Sequence, residues 1–105
     1  MIKAVVLLKR REDMSRSDFV HWYLDEHVPL ALALPNLRRY QANIVEGEAD
    51  GDYDGFSELW FDSEAAMHES YATETGKGVA ADSLAHVSRR ERIVVREHPF
   101  EVSGR

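Results

Sequence analysis

The 105-residue sequence predicts an α+β domain whose elements follow the order strand, helix, strand, strand, helix, strand. Two observations carry this expectation. Short β-branched segments bounded by turn residues indicate strands, and longer stretches with apolar residues at helical spacing indicate helices. The length suits one domain with a single core. We therefore expect residues 1–105 to form one domain, with a core over about 2–98 and a short C-terminal tail.

The first strand is predicted over Ile2–Lys9, a short β-branched segment closed by charge. Its central residues, Ala4 to Leu8, are all apolar and do not alternate with polar ones. Because successive strand side chains point to opposite faces, both faces of this strand must be covered. Helices can cover one face, and the other face needs a different cover.

The first helix is expected to begin after Ser15, which forms a capping box of the shorter acid type with Asp18. Aromatic and leucine side chains follow at helical spacing. Pro29 has no N–H to donate to the carbonyl of Asp25. The helix is therefore expected to kink or stop near His27 and to restart with Pro29 in a first turn.

Two strands are predicted after a turn at Pro35–Asn36. Leu37–Glu46 alternates apolar and polar side chains as a half-buried strand does. The acidic, glycine-containing segment Gly47–Gly51 indicates a hairpin-type connection. The next strand, Tyr53–Asp62, again has two covered faces, which carry Phe56, Glu58 and Trp60 on one side and Ser57, Leu59 and Phe61 on the other.

Ser63 is expected to cap a second helix that is interrupted over Thr73–Gly78 and resumes for a turn or two over Val79–His86. The last strand is placed over Arg92–Phe100, and Val102–Arg105 is expected to fray. This order is that of the split βαβ, or ferredoxin-like, plan, whose antiparallel sheet has the strand order 4-1-3-2 and carries both helices on one face. A second copy would cover the open face, so the sequence predicts a homodimer through the sheet face.

Composition narrows the partners that we expect. The net charge of −6, from 13 Lys plus Arg against 19 Asp plus Glu, argues against nucleic-acid binding. The chain contains no cysteine, which excludes thiolate nucleophiles and cysteine metal sites. The N-terminal apolar segment is too short for a signal peptide or a membrane span. We therefore expect a cytoplasmic protein with no membrane contact.

The histidines and glycines do not predict a metal or nucleotide site. His21 with Asp25 and Glu64 with His68 are i,i+4 pairs, for which surface ion pairing is the expected role. No metal-binding histidine spacing, P-loop, GxSxG motif or GxGxxG motif is present. We therefore expect no metal and no cofactor, and a small molecule as the ligand.

His27 is the first candidate for chemistry, because imidazole titrates near neutral pH and can act as an acid or a base. The alternative is a structural histidine bonded to a free carbonyl at the helix end. Glu58 is the second candidate, because burial between aromatic rings would raise its pKa and make it a proton donor. An ion pair of Glu58 with Arg39 or Arg96 would remove that effect.

Four further residues are candidates for holding a ligand. Asn43 can contact a ligand carbonyl, although solvation on a strand face is the commoner role of such a residue. Tyr23, Tyr40 and Trp60 are aromatic side chains that more often form core but can also wall an apolar pocket.

Nearly the whole chain resembles the EthD family, which is named for a protein of ether degradation. This family belongs to the dimeric α+β-barrel superfamily. The Glu-His-x-Pro step at Glu26–Pro29 is its most specific element. The other residues that carry the resemblance are Val5–Arg10, Ser15, Phe19, Trp22, Tyr23, Leu34-Pro35, Leu37–Tyr40, Asn43, Tyr53–Gly55 and Glu58–Ser63, with Asp82 and Glu97-His98 matching more weakly.

The resemblance implies a ferredoxin-like protomer that dimerises sheet to sheet and has a pocket between helices and sheet. The family histidine corresponds to His27. Related enzymes include muconolactone isomerases, polyketide cyclases, dehydratases and cofactor-free monooxygenases that act on small cyclic or aromatic compounds. The cysteines that some muconolactone isomerases use have no counterpart here.

Together these observations lead to a first functional hypothesis, a cofactor-independent isomerase, cyclase or lyase that acts on an oxygenated cyclic or aromatic metabolite. His27 would move the proton, Asn43 or Tyr23 would hold the carbonyl or enolate oxygen, and Glu58 would be a second acid or base. The alternative is a non-catalytic dimer that binds such a compound or assists a neighbouring oxygenase. A haem-binding member of the superfamily is a third hypothesis.

Overall fold

The computed structural model describes residues 1–47 and 51–104. The predicted connection at Gly47–Gly51 includes residues 48–50, and the predicted frayed tail includes residue 105, so these parts lie outside the described residues. In chain order the elements are β1 (Ile2–Arg10), α1 (Arg16–His21), a π-helical segment (Trp22–His27), α2 (Val28–Ala31), β2 (Arg39–Ile44), β3 (Gly55–Phe61), α3 (Glu64–Ala72), α4 (Glu74–His86) and β4 (Val87–Val95).

The four strands form one antiparallel sheet in the order β2-β3-β1-β4. This confirms the predicted ferredoxin-like plan and the strand order 4-1-3-2. We call α1, the π-helical segment and α2 together, residues 16–31, the first helical region. Ala4, Val6 and Leu8 of β1 are buried in the core cluster with aromatic residues of this region. The alternate residues Val5 and Leu7 are only partly buried and lie on the opposite face, which we call the open face.

The first helical region changes its helix type at His27 instead of stopping there, and α2 begins at Val28 with Pro29 in its first turn, as predicted. Ser15 caps α1 by accepting a hydrogen bond from the Asp18 backbone N–H, as predicted. The helix then widens into a π-turn, in which the Val28 N–H donates to the carbonyl of Tyr23. Residues five apart in an α-helix are about 140° apart around the axis, whereas an i→i+5 bond brings them close to the same side. The widening therefore turns His27 toward the core, on the side of Trp22.

The second helical region differs from the predicted one. It contains one break at Thr73, where α3 ends and α4 begins, and α4 then runs unbroken through Gly76 and Gly78. The Thr73 hydroxyl donates to the carbonyl of Ser70 and accepts from the N–H of Gly76, which explains the tight corner. A Cβ on Gly76 would lie 2.3 Å from the Ser70 carbonyl oxygen, so glycine permits a close approach there rather than ending the helix.

The prediction for the last strand was wrong by five residues at each end. β4 spans Val87–Val95 instead of Arg92–Phe100, because it pairs along the whole of β1, from Arg10 opposite Val87 to Lys3 opposite Val95. Its charged residues hid the strand pattern in the sequence. An edge strand tolerates such charges, since one side of its backbone has no neighbouring strand.

Ser63 caps α3 by accepting a hydrogen bond from the Ala66 N–H, as predicted. None of the helices within residues 1–47 and 51–104 has both the length and the apolar character needed to cross a membrane.

The close approach at Gly76 can be tested by substitution. Gly76→Ala places its methyl group against the Ser70 and Tyr71 backbone, and such overpacking typically costs about 1–3 kcal/mol. Gly78→Ala is the matched control in the same helix, because a Cβ there meets no atom within 4 Å and the helix gains up to about 1 kcal/mol. We expect the urea midpoint to fall for the first variant and to hold or rise for the second. Equal midpoints would contradict the assignment.

Candidate active site

The six candidate residues lie on two opposite faces of the sheet. One group lies between the sheet and the helices, and consists of Tyr23, His27 and Tyr40. The other group lies on the open face, and consists of Asn43, Glu58 and Trp60. The two groups therefore do not form one site.

His27 is 4% exposed and its Nδ1 lies 2.8 Å from Oδ2 of Asp82 on α4. A carboxylate accepts hydrogen bonds, so the neutral imidazole carries its proton on Nδ1 and leaves Nε2 as an acceptor. Ser83 Oγ lies 3.4 Å from that Nε2. The partner of His27 is thus a carboxylate, rather than the helix-end carbonyl that the alternative interpretation required.

The environment of His27 favours its neutral form. Burial lowers the pKa of His27, and the nearby charges of Arg90 and His86 lower it further. The hydrogen bond to Asp82 and its charge act in the opposite direction, but burial has the largest effect. The imidazole is therefore available as a base at neutral pH.

Asp82 is held in place by two further aromatic side chains. Trp22 Nε1 donates to Asp82 Oδ2 over 3.2 Å. His86, one turn along α4, donates from Nδ1 to the Asp82 backbone carbonyl over 2.7 Å and stacks on the Trp22 ring at 4.6 Å. These contacts fix the carboxylate against His27, as the groups behind a catalytic histidine commonly do.

Three buried hydroxyl groups meet at the centre of β3. The Tyr23 hydroxyl lies 2.7 Å and the Tyr40 hydroxyl 2.6 Å from Ser57 Oγ. Burial raises the pKa of both phenols, so both keep their protons at neutral pH. Ser57 can donate only one hydrogen bond, so at least one phenol donates to it. This trio is a source of hydrogen-bond donors inside the core.

His27 and two members of the hydroxyl trio line the same cavity. Its volume is about 10 Å³, which is room for roughly one water molecule. The polar side chains that line it are His27, Tyr40, Ser57, Tyr71, Ser83 and Arg90. We call these residues, together with Tyr23 and Asp82, the interior site. It combines a base, hydroxyl donors and a cation.

The open-face group has a different character. Glu58 accepts hydrogen bonds from Lys3 Nζ at 2.8 Å and from Asn43 Nδ2 at 3.0 Å. The Lys3 hydrogen bond is the main reason that the pKa of Glu58 is lowered. Of the two alternatives for Glu58, the ion pair is therefore the one observed, and its partner is Lys3 instead of Arg39 or Arg96.

Trp60 is also engaged on the open face. Its Nε1 donates to Glu97 Oε1 over 2.6 Å, and the Arg39 guanidinium lies 4.5 Å from the ring centroid. Its ring therefore covers part of the open face instead of walling the interior site.

No functional role was predicted from the sequence for five residues of the interior site, which are Ser57, Tyr71, Asp82, Ser83 and Arg90. Ser57 had a visible signal, since it is the polar residue on the otherwise apolar face of β3. Asp82 was noticed only as a weak match to the family. Its position was not predicted, because the helix was expected to be interrupted shortly before it. Arg90 was not recognised as a strand residue facing the core, because the predicted last strand began two residues after it.

The remaining histidines follow the sequence expectation more closely. His21 Nδ1 lies 2.8 Å from Asp25 and His68 Nε2 lies 4.0 Å from Glu64, and all four side chains are exposed. This confirms two surface pairs. In the part of the chain that the structure describes, no three His, Asp or Glu side chains are grouped so that they could hold a metal ion.

The fold is shared with several solved structures. An ethyl tert-butyl ether degradation (EthD) family protein from Bacillus halodurans superposes with a TM-score of 0.82 at 21% identity, covering 93% of this chain and 99% of that one. A dimeric ferredoxin-like protein of unknown function from Thermobifida fusca gives 0.73 at 19% identity, covering 90% and 88%. SnoaB from Streptomyces nogalater, a cofactor-independent oxygenase, gives 0.67 at 13% identity, covering 94% of each chain. At these identities the likeness shows the fold.

The sequence comparisons are more specific. An uncharacterized 11.0 kDa protein in the thcB-thcC intergenic region of Rhodococcus erythropolis is 30% identical over 67 residues. That match covers 61% of this chain and 64% of the relative, so it spans less than two thirds of either. The model of the EthD domain matches residues 11–89, which include the π-helical segment, the whole hydroxyl trio and α4. The chain belongs to the EthD family.

Proposed function

We propose that this protein is a cofactor-independent isomerase, cyclase or lyase that acts on a small oxygenated cyclic or aromatic compound, with His27 as the base. The observation that carries the proposal is the buried His27–Asp82 pair, which shares a cavity with hydroxyl donors. An oriented neutral imidazole beside donors is the arrangement that proton abstraction next to a carbonyl requires.

The proposed reaction begins with proton transfer from carbon. His27 Nε2 takes a proton from a carbon next to a carbonyl group, and the electron pair left on carbon forms an enolate. Asp82 stabilises the imidazolium, and Tyr40 or Ser57 donates a hydrogen bond to the enolate oxygen. The imidazolium then returns the proton to a different carbon, which completes an isomerisation. Attack of the enolate carbon on a second carbonyl would instead close a ring, and the alkoxide formed there would take the proton from the imidazolium.

The shared fold supports this class of reaction. SnoaB, which has the same fold, is described as a cofactor-independent oxygenase, so this architecture can support catalysis without a cofactor. Glu58, Asn43 and Trp60 would not contact a ligand in the interior site, because they lie on the open face.

A route for the ligand follows from a second concavity. The interior cavity of about 10 Å³ is too small for a ring, but an apolar groove of about 330 Å³ lies between α2 and α4. Val79 lines both spaces. We infer that the ring of the ligand occupies the groove, which passes Pro29 and Leu30, and that a shift of the Val79 side chain lets its oxygenated end reach His27.

We also propose that two copies pair through the open face. Val5, Leu7 and Phe56 are only partly buried there, and Ile93 beside them is 48% exposed. Apolar side chains in the middle of a sheet are normally covered. A related fold in Thermobifida fusca is described as dimeric, which supports this assembly.

The non-catalytic binding protein is the second candidate. It is favoured by the small size of the cavity and by the internal hydrogen bonds of His27, Tyr23 and Tyr40. In this case His27 stabilises the fold and abstracts no proton.

Deuterium exchange distinguishes the two candidates. We expect the wild-type protein to catalyse exchange of carbon-bound protons in D2O for one class among lactones, phenolic ketones and polyketide-like acids, followed by NMR. His27→Gln should lower the rate at least about 100-fold, since it removes the base. Asp82→Asn should lower it less while leaving KM similar, because it misorients the imidazole.

His21→Gln is the matched control, since His21 is on the same helical region but exposed and paired with Asp25. It should exchange at the wild-type rate. Exchange that survives in His27→Gln at the wild-type rate would rule out His27 as the base.

The buried imidazole also predicts how stability depends on pH. Because the pKa of His27 is lowered in the folded state, the unfolded chain takes up the proton first as the pH falls below about 6.5. The contribution of His27 is therefore fully present above that pH and is lost below it. We expect the free energy of unfolding to fall more between pH 7.5 and 5 for the wild type than for His27→Gln. Parallel curves would show that His27 titrates normally.

The dimer is tested by analytical ultracentrifugation. Ile93→Glu places a charge in the open face and should shift the protein to the monomer, because a buried unpaired carboxylate opposes association. Leu84→Glu is the control, since Leu84 is exposed on α4 away from the sheet. A wild-type monomer, or a dimer unaffected by Ile93→Glu, would contradict the assembly.

A further inference from the structure

Arg90 differs from the other arginines of β4. Arg89 pairs with Glu91 at 2.7 Å, and the Arg92 guanidinium lies 4.8 Å from the centroid of the Tyr71 ring. Arg90 faces the helices, because it pairs with buried Leu8, and it lines the interior cavity beside His27. Its Nε is buried without a hydrogen-bond partner, and its guanidinium forms no hydrogen bond or ion pair with any of residues 1–47 and 51–104.

The charges around Arg90 leave its own charge unbalanced. The groups that act on it are the Tyr71 phenol, which burial keeps protonated, and the Arg92 guanidinium, which has the same sign. The acid of the interior site, Asp82, is hydrogen-bonded to His27 and Trp22. Burial lowers the pKa of Arg90, although a guanidinium stays charged at neutral pH. Arg90 is half-buried, and a buried donor such as its Nε is costly when it is left without a hydrogen-bond partner.

An anion that enters when the Val79 side chain shifts, as the ligand route requires, would remove this cost. The guanidinium fork matches a carboxylate, which can accept two parallel hydrogen bonds from it. Tyr40 and Ser83 line the same cavity and can donate to a second oxygen. His27 lines the same cavity, so its imidazole would lie beside the bound ligand.

We propose that Arg90 is the anion-binding residue of the interior site and that the ligand is a small monocarboxylic acid. This inference rests on the proposed function only for the location of the ligand beside His27. It narrows the oxygenated compounds of that proposal to those that enter as carboxylates, and it gives Arg90 the role of holding the ligand, while His27 moves the proton.

The test uses carboxylates and their neutral amide analogues. Benzoate with benzamide and formate with formamide are the probe pairs, and binding is followed by titration of the wild-type protein in NMR spectra. We expect each carboxylate to bind at least about tenfold more tightly than its amide, with a shift of the Arg90 Nε–H signal. Arg90→Gln should abolish the preference, because it removes the charge but keeps a donor.

Arg92→Gln is the matched control, since Arg92 is two residues away on the same strand and lies over the Tyr71 ring. It should keep the preference. If Arg90→Gln does not fold, the Arg90 Nε–H signal of the wild-type protein tests the inference instead. A carboxylate that binds elsewhere would leave the chemical shift of this signal unchanged. Equal binding of acids and amides by the wild type, or a preference that Arg90→Gln retains, would overturn the inference.

The two proposals fail separately. Tight carboxylate binding through Arg90 without any proton exchange would support this inference and refute the catalytic role of His27. Proton exchange that depends on His27 but accepts amides as well as acids would refute this inference alone.

Discussion

The hydrogen bond between His27 Nδ1 and the Asp82 carboxylate joins two parts of the chain that are 55 residues apart. It requires the π-turn that rotates His27 inward, and it requires α4 to run unbroken past Gly76 and Gly78 so that Asp82 faces the first helical region. This contact holds the proton on Nδ1 and leaves Nε2 without one, while burial in the core keeps the imidazole neutral. The surrounding Trp22 and His86 rings keep it in place.

The sheet separates two kinds of polar chemistry. On the helix side, Ser57 and Tyr40 provide neutral donors in a buried space. On the open face, Lys3 and Glu58 form an ion pair that is accessible to solvent or to a second protomer. Because strand residues alternate between faces, neighbours in sequence such as Ser57 and Glu58 belong to different sites. A sheet with two covered faces can therefore combine a ligand site with an assembly surface.

Local patterns of the sequence predicted much of the fold. The two helix caps at Ser15 and Ser63 depend on contacts within a few residues, and the strand order was inferred from the order of strands and helices along the chain. Both predictions are confirmed. The extent of β4 could not be predicted, because pairing with β1 decides it and the charges of an edge strand hide it. The continuity of α4 depends on backbone contact between helices, which glycine permits but does not signal.

The interior site was only partly predictable for the same reason. His27 was visible through its position before Pro29, and Tyr23 and Tyr40 through their apolar periodicity. Asp82 and Arg90 acquire a role only when α4 and β4 bring them to His27. Their contribution is set by tertiary structure, so no spacing in the sequence identifies it.

The protonation state of His27 decides whether this residue can act as the proposed base. The ¹⁵N chemical shifts of its two ring nitrogens, measured in the wild-type protein at pH 7, distinguish a protonated nitrogen from a bare one. We expect a neutral ring with the proton on Nδ1 and a bare Nε2, and we expect Asp82→Asn to disturb this state. An imidazolium at pH 7, or a neutral ring with its proton on Nε2, would contradict the proposed base.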